Sequence, residues 1–307
     1  MPALLQALCL SGSTTFSLQF HFTMQAKSTI ISKKIDLSFV PEEYHKYANV
    51  FSKSKVETLA SHHPYNLQIE LEKDSHPSVE TIYSLSKFKQ ETLRKFINEN
   101  LTNGFIHLTS SPHRALVLFI KKKDSSLWLC VDFCGLNKIT KKDQYPLPFI
   151  SDLLDSLCKA CIYTKIDLRH AYHLVHIVEG DKWKTAFQTC YGAFEWLVMP
   201  FGLTNTLAAF QCFMNNIFSN LLNVCIVVYL DDILIYSDDI TWHWRHIKAV
   251  LKWLCKLGLY TKTEKYKFHS DSMEYLSYVL PPSDLTMSNA KVKTIQEWLE
   301  PKKIKNI

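Results

Sequence analysis

Two apolar runs in residues 224–236 form the clearest pattern in the chain: they read VCIVVYL-DD-ILIY, with two aspartates alone between them. Short runs rich in β-branched residues predict strands, and a polar pair between them predicts a tight hairpin turn. The run IYTKID, which ends at Asp167, predicts a further strand. The runs ALVLFIKKK and LWLCVDF, separated by Asp124-Ser125-Ser126, predict a second hairpin.

Three segments have the three- and four-residue apolar spacing that is typical of an amphipathic helix. The first follows Ser86, a candidate N-cap, places Phe88 on its inward face and ends at Gly104. The second runs from Asn205 through Leu221, and the third covers about residues 241–257. Shorter strand-like runs are HLVHIV, WKTAFQT, AFEWLVM and the segments near 265–268 and 274–280. The mixture predicts an α+β fold with a mainly antiparallel sheet.

The composition excludes several classes of protein. The chain has 307 residues, of which 47% are hydrophobic, so it is too apolar for a disordered linker. It has only 7 glycines and no GxGxxG or GxxxxGK[ST] motif, which disfavours a glycine-rich phosphate loop. No apolar run reaches the roughly 18 residues that a membrane-spanning helix needs. We therefore expect an intracellular protein with no membrane partner.

Positive charge is concentrated in two stretches, although the formal net charge of the chain is only +6. Residues 119–142 carry six lysines and two aspartates, and residues 245–267 carry six lysines and one arginine against one glutamate. These stretches either follow a phosphate backbone or are solvated helix faces, and both interpretations stay open here. The nine cysteines include a CxxC at Cys158 and Cys161, but no second pair has a spacing that favours zinc.

The adjacent carboxylates of Asp231 and Asp232 are the most unusual chemical feature. Like charges held together in a partly dry site repel, and a divalent cation such as Mg²⁺ is the usual means of neutralising them. Asp167 also ends an apolar strand and would reach the hairpin if the strands pair. Three converging carboxylates are what a two-metal phosphoryl-transfer site requires. The alternative is an Asp-Asp turn chosen for its backbone conformation alone.

Several blocks together resemble, in order and spacing, the reverse transcriptase of gypsy-class LTR retrotransposons. They are VDFCGLNKIT (131–140), KIDLRHAYHLV (165–175), WLVMPFGLTN (196–205) with AAFQ (208–211), and YLDDILIYS (229–237). The resemblance implies a right-hand polymerase fold within a Pol polyprotein. The implied divisions are an N-terminal extension from the protease–polymerase junction (1–80), fingers (86–147 and 175–204), palm (148–174 and 205–283) and the start of the thumb (284–307). RNase H and integrase regions are expected in the full-length parent.

The resemblance also implies site residues. Asp167, Asp231 and Asp232 would be catalytic and would hold two Mg²⁺ ions, or Mn²⁺, with help from the carbonyl of Leu168. Lys122 would contact the triphosphate of the incoming nucleotide, and Tyr172 would stack under its sugar and exclude a 2′-hydroxyl. Phe201, Gly202 and Gln211 would shape the nucleotide pocket, and Lys265 is a candidate general acid. The expected partners are dNTPs and a primer on an RNA or DNA template.

The chain departs from the family pattern at positions that bear on activity. Trp128 and Cys134 stand where arginine is usual, Arg114 where glycine is usual, and Ser277 where glycine is usual. Arginine codons of the CGN type become cysteine or tryptophan codons by single C-to-T changes, so the pattern resembles mutational decay. We therefore expect template-directed DNA synthesis whose activity is impaired. The alternative is a catalytically dead nucleic-acid-binding remnant of a Pol polyprotein.

Overall fold

The computed structural model describes residues 35–52, 65–77, 83–121, 127–157, 160–169, 171–262, 266–280 and 285–298. The α-helices of this part of the chain are α1 (Lys87–Asn103), α2 (Cys134–Ile139), α3 (Ile150–Leu157), α4 (Thr206–Ile217), α5 (Ile240–Leu257) and α6 (Asn289–Gln296). Three 3-10 helices are η1 (Glu42–Phe51), η2 (Ala171–Leu174) and η3 (Glu179–Thr185).

The strands are short and lie in five small sheets. In chain order they are β1 (Asn66–Leu67), β2 (Ile106–Leu108), β3 (Leu116–Lys121), β4 (Leu127–Asp132), β5 (Ile162–Asp167), β6 (His176–Ile177), β7 (Phe187–Thr189), β8 (Gly192–Trp196), β9 (Ile226–Tyr229), β10 (Asp232–Ser237), β11 (Lys267–Ser270), β12 (Met273–Tyr275), β13 (Tyr278–Leu280) and β14 (Thr286–Met287). Nearly all strand pairs are antiparallel, which confirms the predicted fold class.

The central sheet has the order β11-β5-β10-β9 and is antiparallel throughout. Because side chains alternate along a strand, Tyr163 and Leu234 point to one face with their neighbours two residues away. That face packs on α3 and on the β12–β13 hairpin through a buried cluster that includes Leu157 and Tyr275. The opposite face contacts α5, where His243 hydrogen-bonds to Thr164 of β5.

The predicted hairpins and helices are confirmed, with several corrections. Strands β3 and β4 pair as predicted, the β9–β10 hairpin forms, and so do the helices predicted after Ser86, from Asn205 and over about 241–257. The predicted turn Asp124-Ser125-Ser126 lies outside the described residues. Phe88 is 67% exposed and does not face inward, because the inward face of α1 is provided by Leu93 and Ile97. The Ser86 side chain makes no capping hydrogen bond.

Two predicted elements are divided differently. The helix after Asn205 ends at Ile217, so Phe218 packs in the core from the turn that follows α4. The segment 274–280 is a hairpin of β12 and β13 because Leu276 and Ser277 both have positive φ, +50° and +69°. Two consecutive positive φ values between paired strands are the signature of a type I′ turn. Glycine or asparagine is the usual residue in such a turn, which explains why glycine is expected at position 277.

Part of the predicted N-terminal extension belongs to the folded core. Tyr44 and Val50 of η1 are almost fully buried, and the Tyr44 hydroxyl lies 3.1 Å from Nε2 of His269 in β11. The backbone N–H of Thr261 donates to the Val50 carbonyl at 3.0 Å. In the described ranges, every helix is too short or too polar to cross a membrane.

Candidate active site

The aspartates predicted from the sequence lie at one end of the central sheet. Asp232 of β10 is the direct cross-strand partner of Asp167 of β5. Directly paired residues of an antiparallel sheet place their side chains on the same face about 5 Å apart at Cβ. Asp231 lies in the two-residue loop between Tyr229 and Asp232, which are also paired. The strand register therefore brings together three carboxylates from two segments of the chain.

The loop that carries Asp231 has a demanding backbone conformation. Leu230 has φ of +54°, and it precedes Asp231 in a two-residue hairpin loop. A positive φ at the first loop position alone is the pattern of a type II′ turn, where glycine is the usual residue. A leucine in this conformation is strained and persists only where the surrounding structure holds it.

Gln211 of α4 supplies that support. Its side chain is fully buried, and its Oε1 accepts a hydrogen bond of 2.8 Å from the backbone N–H of Leu230. Its Nε2 donates to the Val228 carbonyl at 3.2 Å and to Oδ1 of Asn215 at 2.9 Å. In this structure Gln211 thus fixes the turn beneath Asp231, while its predicted contact with nucleotide stays a prediction.

Two lysines that the sequence reasoning did not select lie against the carboxylates. Nζ of Lys262 is 2.7 Å from Oδ1 of Asp167, whose side chain is only 8% exposed. Nζ of Lys165 is 3.0 Å from Oδ1 of Asp232. Lys165 precedes Asp167 by two residues, so the period of the strand already placed them on one face. Lys262 had no comparable signal, because only the packing of the segment after α5 brings it to β5.

The surroundings of Asp231 disfavour its charged form. Burial raises the pKa of Asp231, and the nearby charges of Asp232 and Asp167 raise it further, while Lys262 acts in the opposite direction. Since the hard carboxylate oxygens of these three residues are the ligands that Mg²⁺ prefers, the donor set fits that ion.

The arrangement of these donors in the structure is not that of a formed metal centre. Over the residues whose positions are described, no group of three His, Cys, Asp or Glu side chains is placed to hold a metal ion. Two of the three carboxylates are instead paired with the ammonium groups of Lys262 and Lys165. The two-ion centre and the role of the Leu168 carbonyl therefore stay predictions; Leu168 itself forms an antiparallel bridge with Thr261.

An aromatic cluster lies next to the aspartates. The Tyr172 ring is 4.6 Å from Phe201 and 4.8 Å from Phe210, centroid to centroid. Tyr172 is buried, which raises the pKa of its hydroxyl to about 12, with a smaller contribution from the charge of Asp231. Trp128 of β4, 43% exposed, lies edge-on to Phe201 at 6.3 Å. The cluster thus links the β3–β4 hairpin to the surroundings of Asp231.

The other predicted residues have varied positions. Gly202 accepts a hydrogen bond of 2.7 Å at its carbonyl from Nδ2 of Asn137, which ties the Phe201–Gly202 turn to α2. Cys134 is exposed at the start of α2, and its backbone N–H donates to Oδ1 of Asp132 at 2.9 Å. Arg114 is exposed just before β3. Lys122 and Lys265 lie outside the described residues.

The family of the chain follows from comparison with known proteins. Residues 120–280, which include all three aspartates and the whole central sheet, match the family described as "Reverse transcriptase (RNA-dependent DNA polymerase)". The chain belongs to this family. The resemblance inferred from the sequence blocks is therefore confirmed.

Curated relatives place the match within retrotransposon polyproteins. The chain is 31% identical over 269 residues to the Transposon Tf2-3 polyprotein of Schizosaccharomyces pombe (strain 972 / ATCC 24843), and the match covers 87% of this chain and 20% of the relative. The Transposon Tf2-7 polyprotein of the same organism matches with the same identity and coverage. The chain thus spans about a fifth of the length of these relatives.

Solved structures confirm the right-hand polymerase fold. A foamy viral protease–reverse transcriptase in complex with an RNA/DNA hybrid is similar with a TM-score of 0.73 at 18% identity, covering 86% of this chain and 35% of that one. The foamy viral protease–reverse transcriptase dRH in complex with double-stranded DNA has a TM-score of 0.73 at 19% identity, covering 90% and 48%.

Proposed function

We propose that this chain carries out template-directed DNA synthesis, adding dNTPs to the 3′-hydroxyl of a primer on an RNA or DNA template. The observation that carries the proposal is the register that pairs Asp167 with Asp232 and puts Asp231 in the adjoining loop. Membership of the reverse transcriptase family supports it. The foamy viral relative was solved with an RNA/DNA hybrid, which is the kind of partner that this reaction requires.

The three aspartates and the Leu168 carbonyl would hold two Mg²⁺ ions, with Mn²⁺ as a substitute. Bound there, such ions activate the attacking hydroxyl and stabilise the leaving oxygen. The contribution of this chain is to keep the carboxylates together: Gln211 fixes the turn at Leu230, and the β5–β10 register fixes Asp167 against Asp232. Lys262 and Lys165 neutralise Asp167 and Asp232, and each lysine would give up its aspartate when that aspartate binds a metal ion.

Tyr172 would form the floor for the incoming sugar. Its ring is held between Phe201 and Phe210, so it offers a rigid surface that leaves little room for a 2′-hydroxyl. With a pKa of about 12, its hydroxyl remains a neutral hydrogen-bond donor at every working pH. We therefore assign discrimination between deoxyribose and ribose to this position.

Trp128 would impair the reaction. At this position the family resemblance implies an arginine that clasps the triphosphate, and an indole offers one N–H in place of a charged guanidinium with five. Losing one such electrostatic contact reduces the rate on the order of 10²-fold. Replacing Trp128 with arginine should therefore raise the rate of extension by a comparable factor.

Primer extension on poly(rA)/oligo(dT) with Mg²⁺ tests the proposal. The variant Asp231→Asn should lose product formation, whereas Asp271→Asn, which alters an exposed aspartate before β12, should not. Undiminished product from Asp231→Asn would refute the assignment. A preparation that binds hybrid but gives no product would instead support the decayed-remnant alternative, which Trp128 also favours. Recovery of activity in the double variant Trp128→Arg/Cys134→Arg would show that mutation silenced a polymerase.

A further inference from the structure

The outer face of α5 is basic along most of its length. The helix contains no acidic residue, and its buried side chains, among them His243 and Ile247, face the central sheet. Arg245, Lys248, Lys252 and Lys256 follow one another on the other side at spacings of three, four and four residues. At 1.5 Å per residue they extend over about 16 Å. Three of them are exposed and Lys248 is partly exposed, and none makes a salt bridge with the part of the chain that the structure describes.

A tryptophan accompanies these cations. Trp242 continues the same helix face one turn before Arg245, is 56% exposed, and has the Arg245 guanidinium 4.8 Å from its ring centroid. Trp244 lies on the other flank of the helix, is 40% exposed, and contacts the His269 ring edge-on at 6.4 Å, so it is not counted with this surface. The face of a tryptophan ring attracts a nearby cation, and the exposed part of the ring offers a surface on which a base can stack. This combination separates α5 from an ordinary solvated lysine face, which has no aromatic side chains.

The basic face lies on the far side of the central sheet from the aspartates. Asp167, Lys165 and Asp232 point to one face of the sheet, since they are two residues apart or directly paired. Thr164, at the alternate position, points to the other face and hydrogen-bonds to His243 of α5 at 2.8 Å. A helix with its side chains is about 10 Å thick, so the outward cations lie at least that far behind the sheet. A duplex at the aspartates cannot cover both faces at once.

We propose that the basic face of α5 is a second nucleic-acid-binding surface that takes a single strand. This face is formed by Trp242, Arg245, Lys248, Lys252 and Lys256. Sequence-tolerant binding of single strands combines cations that follow the phosphates with aromatic rings on which bases stack. The α5 face has both features, and stacking on Trp242 requires an unpaired base. An acidic protein segment would complement the cations but would leave Trp242 unused.

The test uses the full chain with its polymerase cleft saturated by an RNA/DNA hybrid. Binding of a fluorescein-labelled 12-nucleotide oligo(dC), chosen so as not to pair with the hybrid, is followed by anisotropy as a function of salt. For single strands, a plot of the logarithm of the binding constant against the logarithm of the salt concentration has a slope of about −0.7 for each phosphate contact. Four contacts give a slope of about −2.8, or roughly a fifty-fold weakening between 50 and 200 mM salt.

Matched variants locate the binding. Lys248→Gln/Lys252→Gln/Lys256→Gln should reduce the salt slope by about 2 and weaken binding at least tenfold. The control Lys73→Gln/Lys87→Gln/Lys95→Gln removes the same charge from exposed positions elsewhere and should bind as the unmodified chain does. Trp242→Ala should weaken binding roughly tenfold through lost stacking.

The proposal is overturned if the α5 triple variant binds the probe as tightly as the unmodified chain, or if the control triple variant weakens binding to the same extent. It is also overturned if poly-glutamate displaces the probe while Trp242→Ala has no effect, since that outcome assigns the face to an acidic protein. Primer extension on a preannealed hybrid should be unchanged in the α5 triple variant. An unchanged thermal midpoint of the α5 triple variant verifies its fold. Because the oligo(dC) titration needs no polymerase activity, its result stays separate from any failure of the polymerase assignment.

Discussion

The buried histidine His243 gives the sharpest prediction about stability. Its side chain is fully buried between α5 and the central sheet. Its Nε2 lies 2.8 Å from Oγ1 of Thr164, and its Nδ1 lies 3.0 Å from Oγ of Ser237. Burial lowers the pKa of His243 to about 3, with smaller contributions from His269 and His246. The folded protein therefore keeps this imidazole neutral at pH values where the unfolded chain protonates it.

The sign and size of the effect follow from this difference. Because the pKa in the folded state lies below the unfolded value of about 6.5, the stability contributed by His243 is present above pH 6.5 and is lost as the pH falls towards 3. At pH 5 the unfolded chain holds almost one more proton at this site than the folded chain, compared with about a quarter of a proton more at pH 7. The free energy of unfolding should fall by about 2 kcal/mol over that interval from His243 alone.

Other titratable groups also change the free energy of unfolding between pH 7 and pH 5, each in a direction set by its pKa shift. Burial also lowers the pKa of His246 and of His269, so both add to the loss, although Asp238 and Glu43 respectively act against the shift. Asp231 acts in the opposite sense: its raised pKa favours protonation of the folded state and offsets part of the loss. A comparison of variants therefore isolates His243 better than the unmodified chain does.

Urea unfolding at pH 7 and pH 5 measures the effect. His243→Gln should be less stable at pH 7, because glutamine cannot make the same two hydrogen bonds. Its stability should nevertheless fall by about 2 kcal/mol less on acidification than that of the unmodified chain. His76→Gln, an exposed control, should keep the unmodified pH dependence. Equal losses in His243→Gln and the unmodified chain would refute the reasoning.

Three further predictions concern the hairpins and the ion pairs. Ser277→Gly should raise the free energy of unfolding by roughly 1 kcal/mol in urea titrations, because glycine adopts a positive φ without strain; no gain would exclude strain at that turn. Gln211→Ala should lower it by about 1–3 kcal/mol and also reduce primer extension, since the buried Leu230 N–H loses its acceptor; unchanged extension would show that the turn holds by itself. Lys262→Gln should lower the thermal midpoint without Mg²⁺ and make it rise on Mg²⁺ addition more than in the unmodified chain, because a nearly buried Asp167 loses its ion pair with Lys262. The exposed ion pair between Lys141 and Glu70 provides the control: Lys141→Gln should change neither the thermal midpoint nor its rise on Mg²⁺ addition measurably.

Local sequence determined the elements that carry the site. The β-branched runs on either side of Asp231 and Asp232 have few alternatives to paired strands, and the polar pair indicates a tight turn between them. The turn itself lies one residue earlier than the polar pair, at Leu230 and Asp231, because Asp232 is already paired in β10. Helices α1 and α5 end just before Gly104 and Gly258, which both have a left-handed φ, and the sequence indicated both ends to within a residue. These features depend on neighbours within a few residues, so the order of residues alone specifies them.

Only the tertiary structure decided how these elements meet. Asp167 and Asp232 are far apart in the chain, and a slip of one residue in the β5–β10 register would turn one of the carboxylates to the opposite face of the sheet. That register is held by packing on both faces, which no local pattern contains. The same packing brings Lys262 to Asp167, buries Gln211 under the Leu230 turn and puts α5 behind the sheet. Side-chain periodicity has a range of a few residues, whereas contacts over longer separations exist only once the core has formed.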